Sequence, residues 1–189
     1  MNVRLDASKH QYIRDDGRIV LGVTEAIRLA GLSDMQYVTE AGLNRGRDVH
    51  RACELIDKGT LDWSTLDNSM AGYVHAYVAF VNENDVEILS TEETFHSDAL
   101  GYAGTPDRRL KLNKSAGVLD IKLGAPDSWH KIQTAFYAMP FGVAYRRWNL
   151  YLRDDAQYRL VEHTDPNDFV VVQAVLTLVN WKRRNGYAG

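Results

Sequence analysis

The spacing of apolar residues changes along the chain from one typical of helices to one typical of strands. Segments 46–58 and 69–82 place apolar side chains three and four residues apart, which predicts two amphipathic helices. Ahead of them, residues 10–20 alternate around a turn at Asp15–Gly17, which predicts a small hairpin. The first half of the chain is therefore predicted to be mainly helical after a short β segment.

Two short helices are predicted between the hairpin and the first long helix. Thr24 can cap a helix over 25–30 that ends near Gly31. Ser33 and Gln36 fit a capping box for a second short helix.

The second half of the chain reads as strands with two helices among them. Strands are predicted over 86–96, 100–112 (as strand–turn–strand), 117–123, 145–152 and 157–163. A helix is predicted over 128–139, and the β-branched run 169–181 predicts a mostly buried helix after Asp165-Pro166. This order predicts a single α/β (α+β) domain over residues 1–189, with a mixed central β-sheet flanked by helices.

Composition limits the class of protein but does not identify it. The chain has 189 residues, 45% apolar and 25% charged, which suits one globular domain. A net charge of −3 argues against a protein that coats nucleic acid, but not against an enzyme with a local basic groove. Cys53 is the only cysteine, so a disulfide or an iron–sulfur cluster within the chain is excluded. The N-terminal segment is too polar for a signal peptide, and we expect a cytoplasmic protein with no membrane partner.

A charged pair interrupts the apolar strand predicted over 117–123. Asp120 and Lys122 are two residues apart, so they share one face of the strand, whereas Leu119 and Ile121 share the other. An acid and a base on a buried face must be paired or used in chemistry. A salt bridge at the end of the strand is the simpler alternative for this pair alone.

A second carboxylate, Asp107, favours a chemical role for Asp120 and Lys122 over a simple salt bridge. Asp107 follows the turn Gly104–Pro106, and in a hairpin it would lie beside Asp120. Two ionised carboxylates at one point need a cation, and hard oxygen ligands, with the Ile121 carbonyl as a candidate third, favour Mg²⁺ or Mn²⁺. Lys122 would then position or deprotonate the attacking water, or hold the scissile phosphate of a phosphodiester.

Three further side chains are candidates for the same site. Gln133 and Tyr137 lie four residues apart on one helix face, which would place them beside Lys122 or the phosphate backbone; an exposed Gln and a core Tyr are the alternative. His50 lies beside the apolar stripe of its helix and alone would be an ordinary helix histidine. Its neighbours Gly46 and Arg47 would allow a nucleic-acid backbone to approach.

Taken together, these motifs resemble the PD-(D/E)XK nuclease superfamily, and within it the RecB-like exonuclease branch and its stand-alone phage-type relatives. The matching segments, in order, are GRDVH (46–50), TE (91–92), GYAGTPD (101–107), VLDIK (118–122) and QTAFY (133–137). The likeness covers roughly residues 10–140. It implies a restriction-endonuclease-like core and a metal-dependent deoxyribonuclease, most naturally an exonuclease in phage or mobile-element replication, recombination or repair.

The resemblance also implies roles for individual residues. Lys122 would be the catalytic lysine, with Asp107 and Asp120 as metal ligands for Mg²⁺ or Mn²⁺. The Ile121 carbonyl and His50 would be further ligands. Gln133 and Tyr137 would support the site and contact DNA, and Glu92 fits an upstream glutamate of the family, although Glu93 stands beside it. No organic cofactor is implied.

The DNA-binding surface is less well defined by the sequence. Arg47 and Arg108 are the basic candidates nearest the motifs, and further candidates are Arg109, Lys111, Lys114, Arg146, Arg147, Lys182, Arg183 and Arg184. DNA ends or single strands are the expected partner, with a helicase, recombinase or single-strand-binding protein as a candidate protein partner. A structure-specific or single-strand endonuclease, a catalytically silent DNA-binding subunit and a non-nuclease metal-binding domain are the alternatives.

Overall fold

The fold is taken from a computed structural model that describes residues 3–6, 9, 11–33 and 39–187. Within these ranges the strands are β1 Val3–Asp6, β2 Gln11–Arg14, β3 Ile19–Gly22, β4 Val86–Thr91, β5 Phe95–Ser97, β6 Tyr102–Gly104, β7 Arg108–Leu112, β8 Ser115–Leu123, β9 Arg146–Leu152 and β10 Tyr158–Glu162. The α-helices are α1 Val23–Leu29, α2 Glu40–Asp57, α3 Asn68–Glu83, α4 Ser128–Ala138 and α5 Asn167–Arg184, with 3₁₀ turns at Trp63–Thr65 and Met139–Phe141.

The central sheet is mixed, and β8 is its middle strand. Its order is β10-β9-β8-β7-β4, with β8 parallel to β9 and antiparallel to β7. Side chains of β8 alternate between two cores: Val118 packs with α4 and α5, whereas Leu119 and Ile121 pack with α2 and α3. The prediction of a mixed central sheet flanked by helices is confirmed, and the arrangement is consistent with a restriction-endonuclease-like core.

A second mixed sheet has the order β1-β2-β3-β6-β5, with β3 parallel to β6. It contains the predicted N-terminal hairpin, in which Tyr12 is paired with Val20. The strand–turn–strand predicted over 100–112 is present as β6 and β7, but the two strands do not pair with each other, because β6 belongs to this sheet and β7 to the central one. The chain crosses between the sheets at Thr105, whose hydroxyl accepts a hydrogen bond from Tyr12 at 3.0 Å.

Two helix predictions also need correction. Helix α1 begins at Val23, with Gly22 rather than Thr24 as its cap, because Glu25 accepts a hydrogen bond from the Gly22 N–H at 3.4 Å. Helix α5 is amphipathic and not mostly buried. Only one of its faces packs on α4 and α1, so side chains such as Trp181 remain half exposed at 50%.

The short helix predicted from Ser33 and Gln36 lies outside the described residues. Among the described residues, no helix has both the length and the apolar character needed to cross a membrane.

Candidate active site

Asp107, the residue before β7, lies beside Asp120 and Ile121 of β8. Register pairs Arg108 with Leu119, which brings Asp107 opposite the Asp120–Ile121 peptide. The Asp107 Oδ2 accepts a hydrogen bond from the Ile121 N–H at 2.6 Å. The predicted meeting of the two aspartates is therefore reached through the β7–β8 hairpin and not through the turn at Gly104–Pro106.

Helix α2 and the end of β4 complete a cluster around Asp107. The His50 Nδ1 lies 3.4 Å from Asp107 Oδ1, and Glu92 follows β4 with a left-handed backbone (φ 50°). The Glu92 N–H donates to the Asp107 carbonyl at 3.1 Å, which fixes this unusual conformation. One ligand atom from each of His50, Glu92 and Asp107 lies within 4.8 Å of the others, a spacing that suits one metal ion.

This cluster differs from the predicted ligand set. Glu92 belongs to the 4.8 Å group of side chains, whereas Asp120 does not. The Ile121 N–H orients the Asp107 carboxylate by donating to it, and the Ile121 carbonyl stays a predicted ligand. Glu93 points elsewhere and pairs with Arg109 at 2.6 Å, which distinguishes the two adjacent glutamates.

Lys122 is held in place on three sides. Its Nζ lies 2.9 Å from Asp120 Oδ2 and donates to Gln133 Oε1 at 2.8 Å. The same Nζ lies 5.1 Å from the centre of the Trp129 ring, within range of a cation–π contact. The Asp120–Lys122 salt bridge expected as the alternative is present, and it is also what orients the lysine.

Gln133 and Tyr137 lie side by side on α4, as predicted, and their hydrogen bonds lead to Lys122. The Gln133 Nε2 donates to the Tyr137 hydroxyl at 3.1 Å, so the Gln133 carbonyl is left to receive Lys122. Both side chains are buried, and only Gln133 lines the cleft. The pair supports Lys122, whereas the buried Tyr137 offers no surface for DNA.

Burial and charge perturb the acid–base groups of the site. Burial, with the repulsion of Asp107, raises the pKa of Asp120 to about 6 despite Lys122. Burial and Asp107 likewise raise the pKa of Glu92 to about 7. Burial opposes ionisation of Asp107, but His50, Lys122 and the Ile121 N–H outweigh it and lower its pKa. Burial would lower the pKa of His50, yet Asp107 raises it.

The raised pKa values of Asp120 and Glu92 share one physical origin. Carboxylates gathered away from water repel each other and favour either protonation or a bound cation. Perturbed groups of this kind that converge on a cleft mark a candidate functional site.

An open cleft of about 610 Å³ exposes the site to solvent. Its walls come from α2 and α4 and the end of β8, and they include Gly46, Arg47, His50, Glu92, Lys122, Trp129 and Gln133. Arg47 is exposed and donates to Asn44 at 3.1 Å, so it can reach a ligand in the cleft.

The structure contradicts the prediction that Arg108 contacts DNA. Its side chain is fully buried, with Nε 2.5 Å from Asp57 Oδ2 and Nη1 donating to the Asp107 carbonyl at 2.7 Å. Asp57 in turn accepts from the Tyr77 hydroxyl at 2.7 Å. Alternation along β7 explains the error, because the next residue, Arg109, is the one that faces outward.

Comparison with known proteins does not identify a family for this chain. No family model matches the chain, and no curated protein matches it. It is similar to the crystal structure of an alkaline exonuclease (LHK-Exo) from Laribacter hongkongensis, with a TM-score of 0.39 and 13% identity over 89% of each chain. The structure of LHK-Exo in complex with dAMP gives a TM-score of 0.34 and 15% identity, covering 90% of this chain and 95% of the other. Likeness at this level assigns neither family nor activity, so function must be argued from the site.

Proposed function

We propose that the protein is a metal-dependent deoxyribonuclease that hydrolyses DNA phosphodiester bonds. The observation that carries this proposal is the position of the Asp120–Lys122 pair beside the His50–Glu92–Asp107 cluster, with His50, Glu92 and Lys122 lining one open cleft. A cation site next to a held lysine suits a reaction at a phosphate, where negative charge must be neutralised as it develops.

The side chains at the cluster fit a divalent cation. Two carboxylates and an imidazole lie within 4.8 Å of one another, and one carboxylate is already oriented by the Ile121 N–H. Carboxylate oxygens suit both Mg²⁺ and Mn²⁺, and the imidazole nitrogen favours Mn²⁺ of the two. We propose that His50, Glu92 and Asp107 hold the ion, with Asp120 and the Ile121 carbonyl as additional candidates.

A bound cation would lower the pKa of a water molecule and neutralise the phosphate. The residues of the chain then have separate tasks. The Lys122 ammonium, oriented by Asp120 and Gln133, donates hydrogen bonds to a non-bridging phosphate oxygen. Water attacks phosphorus in line, the P–O3′ bond breaks, and the products are a 5′-phosphate and a 3′-hydroxyl. The water loses one proton to solvent and the 3′ oxygen gains one.

The finer assignment rests on the sequence resemblance. It covers roughly residues 10–140 and supports the RecB-like branch, with an exonuclease acting in phage or mobile-element replication, recombination or repair. The order of elements supports a single domain over residues 1–189. We also propose a cytoplasmic site of action, from the composition of the chain, with a helicase, recombinase or single-strand-binding protein as partner. Arg47 and Gln133 are the DNA contacts that the cleft lining supports.

The test compares end-labelled linear, circular and single-stranded DNA in Mg²⁺, Mn²⁺ or EDTA. Wild type is expected to degrade linear DNA with a divalent cation and to be inactive in EDTA, while Asp120→Ala and Lys122→Ala lose activity. Arg153→Ala is the control for loss of a surface cation, because Arg153 pairs with Asp155 at 2.5 Å in the β9–β10 turn and does not line the cleft. Activity of Asp120→Ala and Lys122→Ala equal to that of wild type would refute the site.

The same assay separates the alternatives. Cleavage of circular DNA would identify an endonuclease. A folded wild type that binds DNA but cuts no substrate with either cation would identify a catalytically silent DNA-binding subunit.

A further inference from the structure

A chain of polar side chains runs from Asp120 through two neighbouring strands. Asn149 in β9 lies opposite Asp120 in the parallel β8–β9 register. Its Nδ2 donates to Asp120 Oδ2 at 2.9 Å and to the Asp120 carbonyl at 3.4 Å. His163, just after β10, places its Nε2 2.7 Å from Asn149 Oδ1. The site described above used Asp120 but neither of these partners.

The chemistry of the carboxylate fixes the direction of every hydrogen bond in the chain. An ionised Asp120 only accepts, so Asn149 must turn its amide N–H toward it. The Asn149 carbonyl oxygen then faces His163 and only accepts, so the His163 Nε2 must carry a proton. Burial, with Arg147 close by, lowers the pKa of His163 to about 4, which leaves a neutral ring with a single N–H at neutral pH.

The arrangement also decides which oxygen of Asp120 is used. Lys122 and Asn149 both contact Oδ2, each at 2.9 Å. Oδ2 is thereby held from two sides, which fixes the orientation of the whole carboxylate. Asn149 is fully buried and Asp120 is 2% exposed, so water does not replace these contacts.

We propose that Asn149 and His163 are positioning residues that hold the Asp120 carboxylate in the orientation needed at the metal and Lys122. The proposal rests on the proposed nuclease function. Outer partners of this kind orient the groups that touch a metal, and their loss typically costs about 10- to 100-fold in metal affinity or activity.

Variants of Asn149 and His163 distinguish a role in orienting Asp120 from a role in core packing alone. Asn149→Leu and His163→Leu remove the chain, and each is expected to lower the maximal cleavage rate about 10- to 100-fold, with the KM for DNA changing much less. His163→Gln keeps a side-chain N–H and is expected to recover most of the rate. Thr164→Ala, at the exposed residue next to His163, is the matched control and should behave as wild type.

Two readouts do not depend on DNA cleavage. Calorimetry is expected to show Mn²⁺ binding weakened about tenfold or more in Asn149→Leu and His163→Leu. The ¹⁵N spectrum of the histidine rings is expected to show His163 as the Nε2–H tautomer in wild type and as a mixture of tautomers in Asn149→Leu. Melting curves establish that each variant is folded before it is compared.

The outcomes are distinct. Wild-type rate and Mn²⁺ affinity in folded Asn149→Leu and His163→Leu would overturn the proposal, as would a His163→Gln no better than His163→Leu at equal melting temperature. An inactive wild type would remove the nuclease proposal alone, because Mn²⁺ affinity and the ring spectrum would still decide whether the chain orients Asp120.

Discussion

Glu92 and Glu93 are adjacent residues with different surroundings. The left-handed backbone at Glu92 turns its side chain toward Asp107 and His50, whereas Glu93 pairs with Arg109 on the surface. We expect Glu92→Gln to weaken Mn²⁺ binding at least about tenfold, because it removes one of two anionic ligands from the cluster. Isothermal titration calorimetry with Mn²⁺ measures this directly.

Glu93→Gln is the matched control, since it makes the same chemical change one residue away. Its Mn²⁺ affinity is expected to equal that of wild type. Equal losses in the two variants would mean that general surface charge attracts the cation, and unchanged affinity in both would exclude Glu92 from the ligand set.

Spacing identifies the residues of the site that lie on regular elements. Asp120 and Lys122 share a strand face, and Gln133 and Tyr137 share a helix face, so simple periodicity finds each pair. It cannot find Asn149, because only the strand order brings β9 alongside β8.

Other site residues depend on local geometry. Glu92 is distinguished from Glu93 only by a left-handed backbone that the neighbouring Asp107 carbonyl stabilises. Arg108 is a predicted DNA contact because it lies next to the motifs, but its side chain is buried against Asp57, which lies far away in the sequence on α2.

At the scale of elements, the packing of α3 against the β9–β10 turn gives a sharp prediction. A Cβ at Gly72 would lie 1.7 Å from the Asp154 carbonyl oxygen, so no side chain fits there without movement of the turn. Gly46 in α2 has nothing within 4 Å of the same position. Gly72→Ala is therefore expected to destabilise the protein by about 1–3 kcal/mol despite the better helix propensity of alanine.

Gly46→Ala serves as the reference, with an expected gain of up to about 1 kcal/mol from helix propensity alone. Urea unfolding of both variants gives the two free energies. A Gly72→Ala variant as stable as Gly46→Ala would show that the turn at Asp154 moves away easily and does not fix α3.

The elements that the sequence predicted correctly are those with one dominant period. Helices α2 and α3 bury one face at regular spacing, whereas the apolar runs of α4 and β8 are buried on nearly all sides, so local pattern and tertiary packing agree. The sequence predicts the two strands within 100–112 but not their separation into two sheets, because that depends on pairing of β6 with β3 and of β7 with β4, which lie far away in the sequence. Helix α5 was read as buried because its β-branched residues lie on the exposed face as well as the packed one.

At the scale of the whole molecule, buried histidines should couple folding to pH. Burial, followed by the charge of Lys122, lowers the pKa of His130 to about 4, and its Nδ1 accepts from the Asp127 N–H at 3.2 Å. An unfolded histidine has a pKa of about 6.5. Between pH 6.5 and 4 the unfolded chain therefore takes up a proton that the folded protein refuses, and stability is lost as pH falls, by up to about 1.4 kcal/mol per pH unit for this residue.

Glu92 and Asp120 have the opposite effect on the pH dependence of stability. Their pKa values are raised in the folded protein, to about 7 and about 6, so the folded protein takes up these protons at a higher pH than the unfolded chain and gains stability as pH falls. The contribution of His130 is therefore isolated by comparison with His130→Gln. Urea unfolding in EDTA at intervals from pH 7.5 to 4 should show wild type losing stability relative to His130→Gln below pH 6.5.

Ile132→Val, in the same helix, should lower stability by about 0.5–1.5 kcal/mol at every pH and run parallel to wild type. If His130→Gln also runs parallel to wild type, the folded protein accepts the proton at His130 as readily as the unfolded chain does, and the buried ring is not a source of acid sensitivity.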